Sequence, residues 1–473
     1  MKYKMTINNF ILASIVFCFP IILADVYFRD DIPRAIYSFI GLSKLGRPIA
    51  DFTYSIITGF NPGVDISPLP LILSSVILAI ISFLLSKKVF QCTGIFGLLV
   101  STPIISSPFF LQNLSYKYDN LPMTLSVLFS TMPFFINRDN KLKFYLLSTI
   151  LLIMALCSYQ TAINIYFCLI FVTNIIYFQN NNFSFKAIIE QINFFAPLLS
   201  AIVIYKLIIL NLFIDSQGMG RSSLANINNI INNIIKFNDD IIQLVKSDIL
   251  YLIIPIILIV FFNSICNLYK NKNHFFLSIA IFLISIILSY LSIGGISILL
   301  DEGIAGPRSY MSFGIFLSLI FYLSIKTNSN TLKYLSISFI ILLISFMYSY
   351  SYAYGNALKT QRNYEMVIVN NLFNRLSEIN HDNKKKVFIS GSIKTPKLTD
   401  SIYYMNSSMR RLNPLSEWST RFIVSSYDLN VDWSWGEYEE MKNSSRNGEY
   451  DLVYKNNNYT IYKTKDGNLF VIF

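Results

Sequence analysis

Two adjacent carboxylates, Asp30 and Asp31, stand where the first long apolar segment of the chain ends. Three arginines, Arg29, Arg34 and Arg47, lie in the same stretch. Charge is costly to desolvate at the boundary of a membrane, so a charged cluster there indicates binding or chemistry. The alternative is a solvated loop at a helix end, whose charges reach water.

The two acids cannot form a paired dyad, because adjacent side chains point in different directions in a helix or a strand. We expect one of them to act as a general base, its pKa raised by partial burial, while the other orients it or binds acceptor hydroxyls. Arg34 follows the acids at the spacing of helical ion pairs. A structural ion pair at the start of a helix is therefore the competing interpretation.

Two further cations are unfavourably placed unless they have an anionic partner or reach water. Arg308, in GPRSY, precedes a predicted helix, and the helix dipole disfavours an arginine at that end. Either the acids Asp301 and Glu302 or a phosphate can hold it there, since guanidinium geometry suits both. Lys206 falls inside an apolar segment, where a lysine indicates a functional site unless its long side chain reaches the surface.

Weaker candidates occur in three polar segments. They could contact a hydroxyl-rich ligand such as a sugar, or they could form hydrogen bonds with the backbone groups that a helix break leaves unpaired. Gly-rich phosphate loops, GxSxG and HExxH are absent from the sequence. With two histidines and no CxxC among five cysteines, we expect neither a metal site nor a cofactor. The weaker candidates are Arg47 and Asp51 in GRPIAD, Lys117 and Asp119 in SYKYD, and Tyr159 and Gln160 in SYQ.

The composition is that of a membrane protein. Hydrophobic residues make up 53% of the 473 residues and charged residues 14%, with a mean hydropathy of +0.50. The first apolar segment is too long for a signal peptide and predicts an uncleaved anchor. The net charge of +11 would suggest nucleic acid in a soluble protein. Here membrane topology and contact with anionic lipids account for it, so we expect lipid contacts and no nucleic acid.

Apolar windows predict about eleven membrane helices. Lysines and arginines gather at alternate helix ends, which places the N-terminus in the cytoplasm by the positive-inside rule. The polar segments RDDIPR to GRPIAD, NLSYKYDN, SYQ and LLDEGIAGPRSY then all lie on the outer face. The predicted spans are 8–28, 68–86, 89–107, 121–137, 143–158, 161–178, 193–214, 249–269, 274–294, 309–326 and 332–352.

Two outer stretches, near 30–60 and 222–247, have the pattern of helices that lie along a membrane surface. Pro48 is typical of a first helical turn, and the helix that it begins should close at Gly59. In the second stretch, isoleucines at 227, 230, 231, 234 and 235 follow helical spacing with asparagines opposite. An Asn-rich loop with chance periodicity is the alternative.

A change of composition near Tyr354 divides the chain into a membrane domain, 1–353, and a C-terminal domain, 354–473. A helical pattern through Glu365–Leu376 precedes alternating segments, KKKVFISGS, DLVYK, YTIYK and NLFVIF, that predict strands. We therefore predict a mainly α polytopic membrane protein with a small α/β domain outside. Its three tryptophans, Trp418, Trp433 and Trp435, fit either a sugar or lipid contact or ordinary packing.

The succession DDIPRAI, GRPIADF, DISPLPLILS, NLSYKYDNLPM and SYQTAIN resembles the serotype-converting O-antigen glucosyltransferases of temperate bacteriophages. The resemblance covers most of the membrane portion, while the C-terminal domain resembles the family in size and placement only. It implies a glycosyltransferase C-type fold and glucose transfer from undecaprenyl-phosphate glucose to O-antigen repeats of lipopolysaccharide. It also implies action at the periplasmic face of the bacterial inner membrane, with a functional link to a donor-lipid synthase and flippase. Asp30 and Asp31 then match the family's acidic motif, the seat of the catalytic carboxylate.

The residues allow the same chemistry, since a cation can hold the phosphate, a carboxylate can activate the acceptor, and the phosphate leaves without a general acid. A single inverting displacement is expected, with Arg308 or Lys206 in the electrostatic role of a metal.

A transferase of the same fold with another sugar or acceptor remains an alternative. A lipid-linked sugar transporter or flippase would show inverted repeats, which the sequence lacks. A membrane O-acyltransferase would need an outer or embedded histidine, whereas His274 is predicted at a cytoplasmic helix end and His381 lies in the C-terminal domain.

Overall fold

The computed structural model describes residues 5–61, 63–181, 184–214, 223–245, 249–269, 274–301, 306–380, 384–427, 429–432 and 438–473. Seven helices in these ranges are long and apolar enough to cross a membrane. Three shorter apolar helices accompany them. The seven are Ile7–Ala24, Leu69–Lys88, Lys141–Ser158, Gln160–Asn180, Ile188–Phe213, Leu250–Tyr269 and Asn330–Ile379, and the three are Gly94–Ile105, Phe275–Leu291 and Phe313–Ile325.

The predicted number of about eleven spans is not confirmed, because four of the predicted segments form helices of 17 residues or fewer. Gly94–Ile105, Phe275–Leu291 and Phe313–Ile325 have 12, 17 and 13 residues. The fourth, Asn120–Thr131, has 12 residues and continues as a 3-10 helix, Met132–Phe135. At about 1.5 Å per residue, the helices of 12 and 13 residues fall short of a hydrocarbon core about 30 Å thick, while 17 residues is about the lower limit for a span.

The helix breaks follow local sequence signals. The predicted break at SYQ is confirmed: Lys141–Ser158 ends, Tyr159 is extended, and a 3-10 turn, Gln160–Ala162, leads into the helix Ile163–Asn180. Phe195–Ile204 continues through a π-helical turn, Tyr205–Ile209, into Leu210–Phe213. Short helices connect the bundle elsewhere: Phe110–Ser115, Phe185–Ile192, and the 3-10 turns Gly295–Leu299 and Pro307–Ser309.

The first helix is held between the helix Leu69–Lys88 and the long helix Asn330–Ile379. Gly355 makes the closest approach, since a Cβ atom placed on it would lie 2.6 Å from the Cβ atom of Pro20. Only glycine allows the long helix to pass so near the first helix. The Tyr348 hydroxyl and the Ser351 Oγ atom donate to carbonyls of the first helix, which fixes the register of the two helices.

Helices form in both stretches that were predicted to lie along the membrane surface. The first contains Asp31–Tyr37, a 3-10 turn at Ser43–Leu45, and Pro48–Ile57, with Pro48 at the expected first position. The second is the helix Ile227–Val245, in which Ile227, Ile231 and Ile235 are exposed. Its opposite face, with Asn233 and Asp240, is buried. Their orientation relative to a membrane remains a prediction.

The C-terminal portion has a four-stranded sheet of order β1-β4-β3-β2. The strands β1 (Val387–Ser390), β2 (Asp451–Lys455), β3 (Thr460–Lys463) and β4 (Leu469–Ile472) fall in the four predicted segments. β1 and β4 are parallel, and the other pairs are antiparallel. The helices Lys397–Met405, Ser408–Leu412, Glu417–Ser425 and Tyr438–Arg446 accompany the sheet.

This sheet domain is not separated from the bundle at the predicted boundary, because the helix Asn330–Ile379 runs without a break through residues 353 and 354. The segment that follows the first helix, residues 25–47, is called the first loop. Its Ile32 packs into the core of the sheet domain. The Tyr350 hydroxyl lies 2.8 Å from Ser408 Oγ, which joins the long helix to the domain that it leads into. Trp418 packs edge-on against Phe422, which fits ordinary packing. Trp433 and Trp435 lie outside the described residues.

Candidate active site

Asp31 is fully buried and ties two loops together. Its Oδ2 atom accepts hydrogen bonds from the backbone N–H groups of Phe28 and Lys117, both at 2.9 Å, and its Oδ1 atom accepts one from Tyr118 at 3.3 Å. Burial raises the pKa of Asp31 to about 7, although the N–H donors oppose that shift. A base must first reach its substrate, and these contacts occupy the carboxylate on both oxygens. These contacts favour a positioning role for Asp31.

Asp30 has different surroundings. It is half-buried and, within the described part of the chain, accepts no hydrogen bond. The pKa of Arg308 is raised mainly by its contact with the Tyr116 oxygen. The negative charge of Asp30 raises it further. The carboxylate of Asp30 therefore lies within electrostatic range of Arg308 and accepts no hydrogen bond among the described residues, which leaves it available as a general base.

The predicted Arg34 and Asp119 both belong to this region, but they pair with each other. Arg34 Nη1 lies 2.7 Å from Asp119 Oδ1, and both side chains are buried. Arg34 is thus one half of a buried ion pair, but its partner is Asp119 and not Asp30 or Asp31, the partners that the helical spacing suggested. Breaking a buried pair of this kind leaves an uncompensated charge, so the contact fixes the first loop on the NLSYKYDN segment.

The SYQ break brings Tyr159 and Gln160 to Arg47. The Arg47 guanidinium carbon lies 4.5 Å from the centre of the Tyr159 ring, and Arg47 Nε donates to Gln160 Oε1 at 2.6 Å. Gln160 Nε2 in turn donates to the Leu45 carbonyl at 2.8 Å and to the Tyr205 hydroxyl at 2.9 Å. Burial lowers the pKa of Arg47, and the charge of Arg308 acts in the same direction.

Arg308 is held through its backbone, while its side chain contacts a phenol. Gln112 Oε1 accepts from the Arg308 N–H group at 2.8 Å, and Asn113 Nδ2 donates to the Arg308 carbonyl at 3.1 Å. The Nη1 atom donates to the Tyr116 hydroxyl at 2.6 Å. Asp301, proposed as its partner, instead accepts from Asn229 Nδ2 at 2.6 Å. Glu302 lies outside the described residues.

Three other predicted residues have structural contacts or lie apart. Lys117 Nζ bridges Asp25 at 2.7 Å and Asp65 at 3.1 Å. Asp51 accepts the N–H groups of Leu42 and Ser43 and stabilises the turn before its own helix. Lys206 is exposed on the π-helical turn and is not brought to the cluster. Its neighbour Tyr205 points inward in its place.

Sequence reasoning missed other residues of this region, among them Tyr116, Tyr205 and Asp240. Tyr116 contacts Arg308, Tyr205 contacts Gln160, and Asp240 accepts a hydrogen bond from the Tyr310 hydroxyl at 2.6 Å. Asp240 also forms an ion pair with Arg411 from the sheet domain. Asp240 could have been found from the sequence, because it is an acid on the face of the helix Ile227–Val245 that is buried. Tyr116 and Tyr205 could not, because a tyrosine alone does not indicate a functional site.

Arg47 and Arg308, together with Asp30, form what we call the arginine cluster. Within the described ranges, no carboxylate lies at ion-pairing distance from either guanidinium. Two neighbouring cations without a paired acid favour an anion between them, and guanidinium groups match phosphate oxygens closely. The same ranges contain no group of three histidine, cysteine, aspartate or glutamate residues that could hold a metal ion.

Comparison with known families matches residues 19–319 to the family described as Glucosyl transferase GtrII. The match covers more than half of the chain and includes every residue of the arginine cluster. The chain belongs to this family. The resemblance to the phage-type glucosyltransferases seen in the sequence is therefore confirmed.

A relative among curated proteins is the "Uncharacterized 55.3 kDa protein in gtrB 5'region" of Salmonella phage P22. It is 37% identical over 163 residues, which are 34% of this chain. The match spans about a third of that relative's own length, also 34%. No solved structure matches the chain.

Proposed function

We propose that this GtrII-family protein transfers glucose from undecaprenyl-phosphate glucose onto O-antigen repeats at the periplasmic face of the bacterial inner membrane. The observation that carries the proposal is the arginine cluster: two guanidinium groups without a paired acid beside a carboxylate without a hydrogen bond. A sugar linked through a phosphate supplies the anion that the arginines lack. An acceptor hydroxyl supplies the proton that the carboxylate can take.

In the proposed reaction, Asp30 removes the proton of the acceptor hydroxyl while that oxygen attacks the anomeric carbon of glucose. The bond from the anomeric carbon to the phosphate oxygen breaks, and its electron pair leaves with the polyprenyl phosphate. Arg308 and Arg47 stabilise the charge that develops on that phosphate, so the leaving group needs no added proton. A single displacement of this kind inverts the anomeric configuration.

The surrounding contacts fit this chemistry. Gln112 and Asn113 clamp the backbone of Arg308, and Gln160 fixes the guanidinium of Arg47. Groups fixed before the reaction stabilise a developing charge without the cost of reorganisation. Asp31, with its three N–H donors, holds the loop from which Asp30 projects.

The test is reconstitution of the purified chain in liposomes with undecaprenyl-phosphate glucose carrying a labelled sugar and with O-antigen polysaccharide. We expect label in the polysaccharide, a mass increase of one hexose per modified repeat, and a linkage of inverted configuration. An Asp30→Asn variant with wild-type thermal stability serves as the matched control. Folded wild-type protein that moves the labelled lipid across the bilayer but transfers no sugar would identify a transporter instead.

A further inference from the structure

An open cavity lies where the first loop, the long helix and the sheet domain meet. We call it the interdomain pocket. Three segments supply most of its wall: 26–29 from the first loop, 358–365 from the long helix, and 413–420 from the sheet domain.

Four side chains of the wall carry enclosed polar atoms that have no hydrogen-bond partner in the described part of the chain. They are Arg29 (Nε), Gln361 (Oε1), Arg362 (Nη1) and Ser419 (Oγ). Gln361 is 4% exposed, and its side chain lines the cavity. Buried polar groups are nearly always paired, so these atoms around one cavity indicate a bound polar ligand, although Arg362 Nη1 also lies 3.7 Å from a carboxylate oxygen of Glu365.

The first loop has an unusual backbone conformation at the same place. Arg29 has φ of +50°, a region that side chains other than glycine adopt rarely. Such a conformation persists only where its surroundings over-determine it, and it often accompanies a binding site. It puts Arg29 in the wall of the pocket while the next residue, Asp30, belongs to the arginine cluster.

We propose that the interdomain pocket binds a neutral sugar unit of the acceptor polysaccharide, next to the unit that receives glucose. This inference rests on the proposed function. Sugar hydroxyls both donate and accept, so they can satisfy the Gln361 carbonyl, the two guanidinium groups and the Ser419 hydroxyl together. An anionic ligand would meet the Gln361 oxygen and the nearby Glu365, which lies 3.7 Å from Arg362.

The position of the pocket suits an acceptor. Phe28 lines it, and the Phe28 ring packs edge-on against Tyr116 with 4.9 Å between ring centres. Tyr116 in turn contacts Arg308. One pair of aromatic rings therefore separates the pocket from the cluster proposed to hold the donor phosphate. Acceptor and donor would approach Asp30 from two sides, as a displacement requires.

The test compares Gln361→Leu, which removes the unpaired carbonyl, and Ser419→Trp, which fills the pocket, with a matched control. Ser425→Ala is that control, because Ser425 lies on the same helix as Ser419 but outside the pocket. We expect the KM for O-antigen to rise about threefold to tenfold in Gln361→Leu, the effect of losing one hydrogen bond or slightly more. The KM for the lipid donor should stay at the wild-type value in Gln361→Leu and in Ser425→Ala.

Saturation-transfer NMR with O-antigen fragments and no donor gives a second measurement. The wild type should transfer saturation to the sugar, and Ser419→Trp should not. If Ser419→Trp does not fold, Gln361→Leu still supplies the KM comparison. A wild type that transfers glucose while all variants keep its KM for O-antigen overturns the pocket assignment. A wild type that binds the fragments but transfers no glucose leaves the pocket in place and overturns the proposed function.

Discussion

The two acids at the end of the first helix differ in what their oxygens contact, and this difference is the basis of the roles that we propose for them. Asp30 accepts no hydrogen bond within the described residues, whereas Asp31 accepts three from the backbone. Asp30→Asn keeps the size of the side chain and removes its basicity. We expect kcat to fall about 10²- to 10⁴-fold at unchanged thermal stability, the usual loss when a general base is removed. The measurement is glucose transfer by reconstituted protein.

Asp31→Asn should affect folding more than catalysis. The new amide has one acceptor oxygen, so its NH₂ group must face at least one of the N–H donors of Phe28, Lys117 and Tyr118. Leaving such buried groups unpaired should lower the free energy of unfolding by about 1–3 kcal/mol. Thermal unfolding in detergent measures this loss. Equal defects in the two Asn variants would contradict the division of roles.

Arg308 offers a third prediction at this scale. Arg308→Ala should nearly abolish transfer, and Arg308→Lys should restore only part of it, because a lysine cannot form the two parallel hydrogen bonds of a guanidinium. Arg410→Ala is a suitable control, since Arg410 is an exposed arginine of the sheet domain that pairs with Asp400. An Arg308→Ala variant with wild-type turnover would place the donor phosphate elsewhere.

The types of residue in the sequence indicated the region of the arginine cluster. They did not show which atoms face one another. Arg308 and Arg47 could be found because cations near apolar helices need an explanation, and the structure leaves both without an acid. Lys206 gave the same signal but is exposed, with Tyr205 pointing inward in its place. The face that a residue takes depends on helix rotation, and the π-helical turn at Tyr205–Ile209 changes that rotation locally.

Among the elements, the helix Ile227–Val245 has a role that its amphipathic pattern alone does not reveal. Its buried Asp240 accepts from the Tyr310 hydroxyl, two residues after Arg308, and pairs with Arg411 of the sheet domain. One carboxylate thus connects this helix, the GPRSY segment and the sheet domain. We infer that it holds the Arg308 segment in position.

Asp240→Asn should therefore lower transfer with a measurable loss of thermal stability, because the ion pair with the partly exposed Arg411 is lost. We expect a fall in kcat/KM of about tenfold, the equivalent of roughly 1.4 kcal/mol. Asp239→Asn is the matched control, since Asp239 is the exposed neighbour on the same helix. If both variants keep wild-type kcat/KM, the contact does not position Arg308.

The elements themselves were predictable to different degrees. The SYQ break and the four strands follow directly from polar residues in an apolar run and from alternation. The short helices such as Gly94–Ile105 did not follow, because an apolar window cannot distinguish a span from a shorter buried helix. Contacts between loops that are distant in sequence, such as Asp31 with Lys117, leave no local pattern.

For the whole molecule, composition predicted two parts but placed their boundary inside a helix. The sequence becomes more polar near Tyr354, yet the helix Asn330–Ile379 continues for another 25 residues. A change of environment along one helix alters its side chains without interrupting its backbone hydrogen bonds. The sheet domain also takes Ile32 from the first loop into its core, so the two parts pack as one unit.

The last prediction concerns the topology of the whole chain in the membrane. Lysines at alternate helix ends, such as Lys87 and Lys88, place the N-terminus in the cytoplasm by the positive-inside rule. The loops that carry Asp30 and Arg308, and the sheet domain that contacts them through Gln112 and Leu412, should then all face the periplasm.

A reporter that is active only in the periplasm should be active when fused after Phe473. A cytoplasm-specific reporter at the same position should be silent, and a fusion at Asn140, before the helix Lys141–Ser158, should give the opposite pair of signals. Cytoplasmic activity after Phe473 would separate the sheet domain from periplasmic O-antigen and exclude the proposed acceptor.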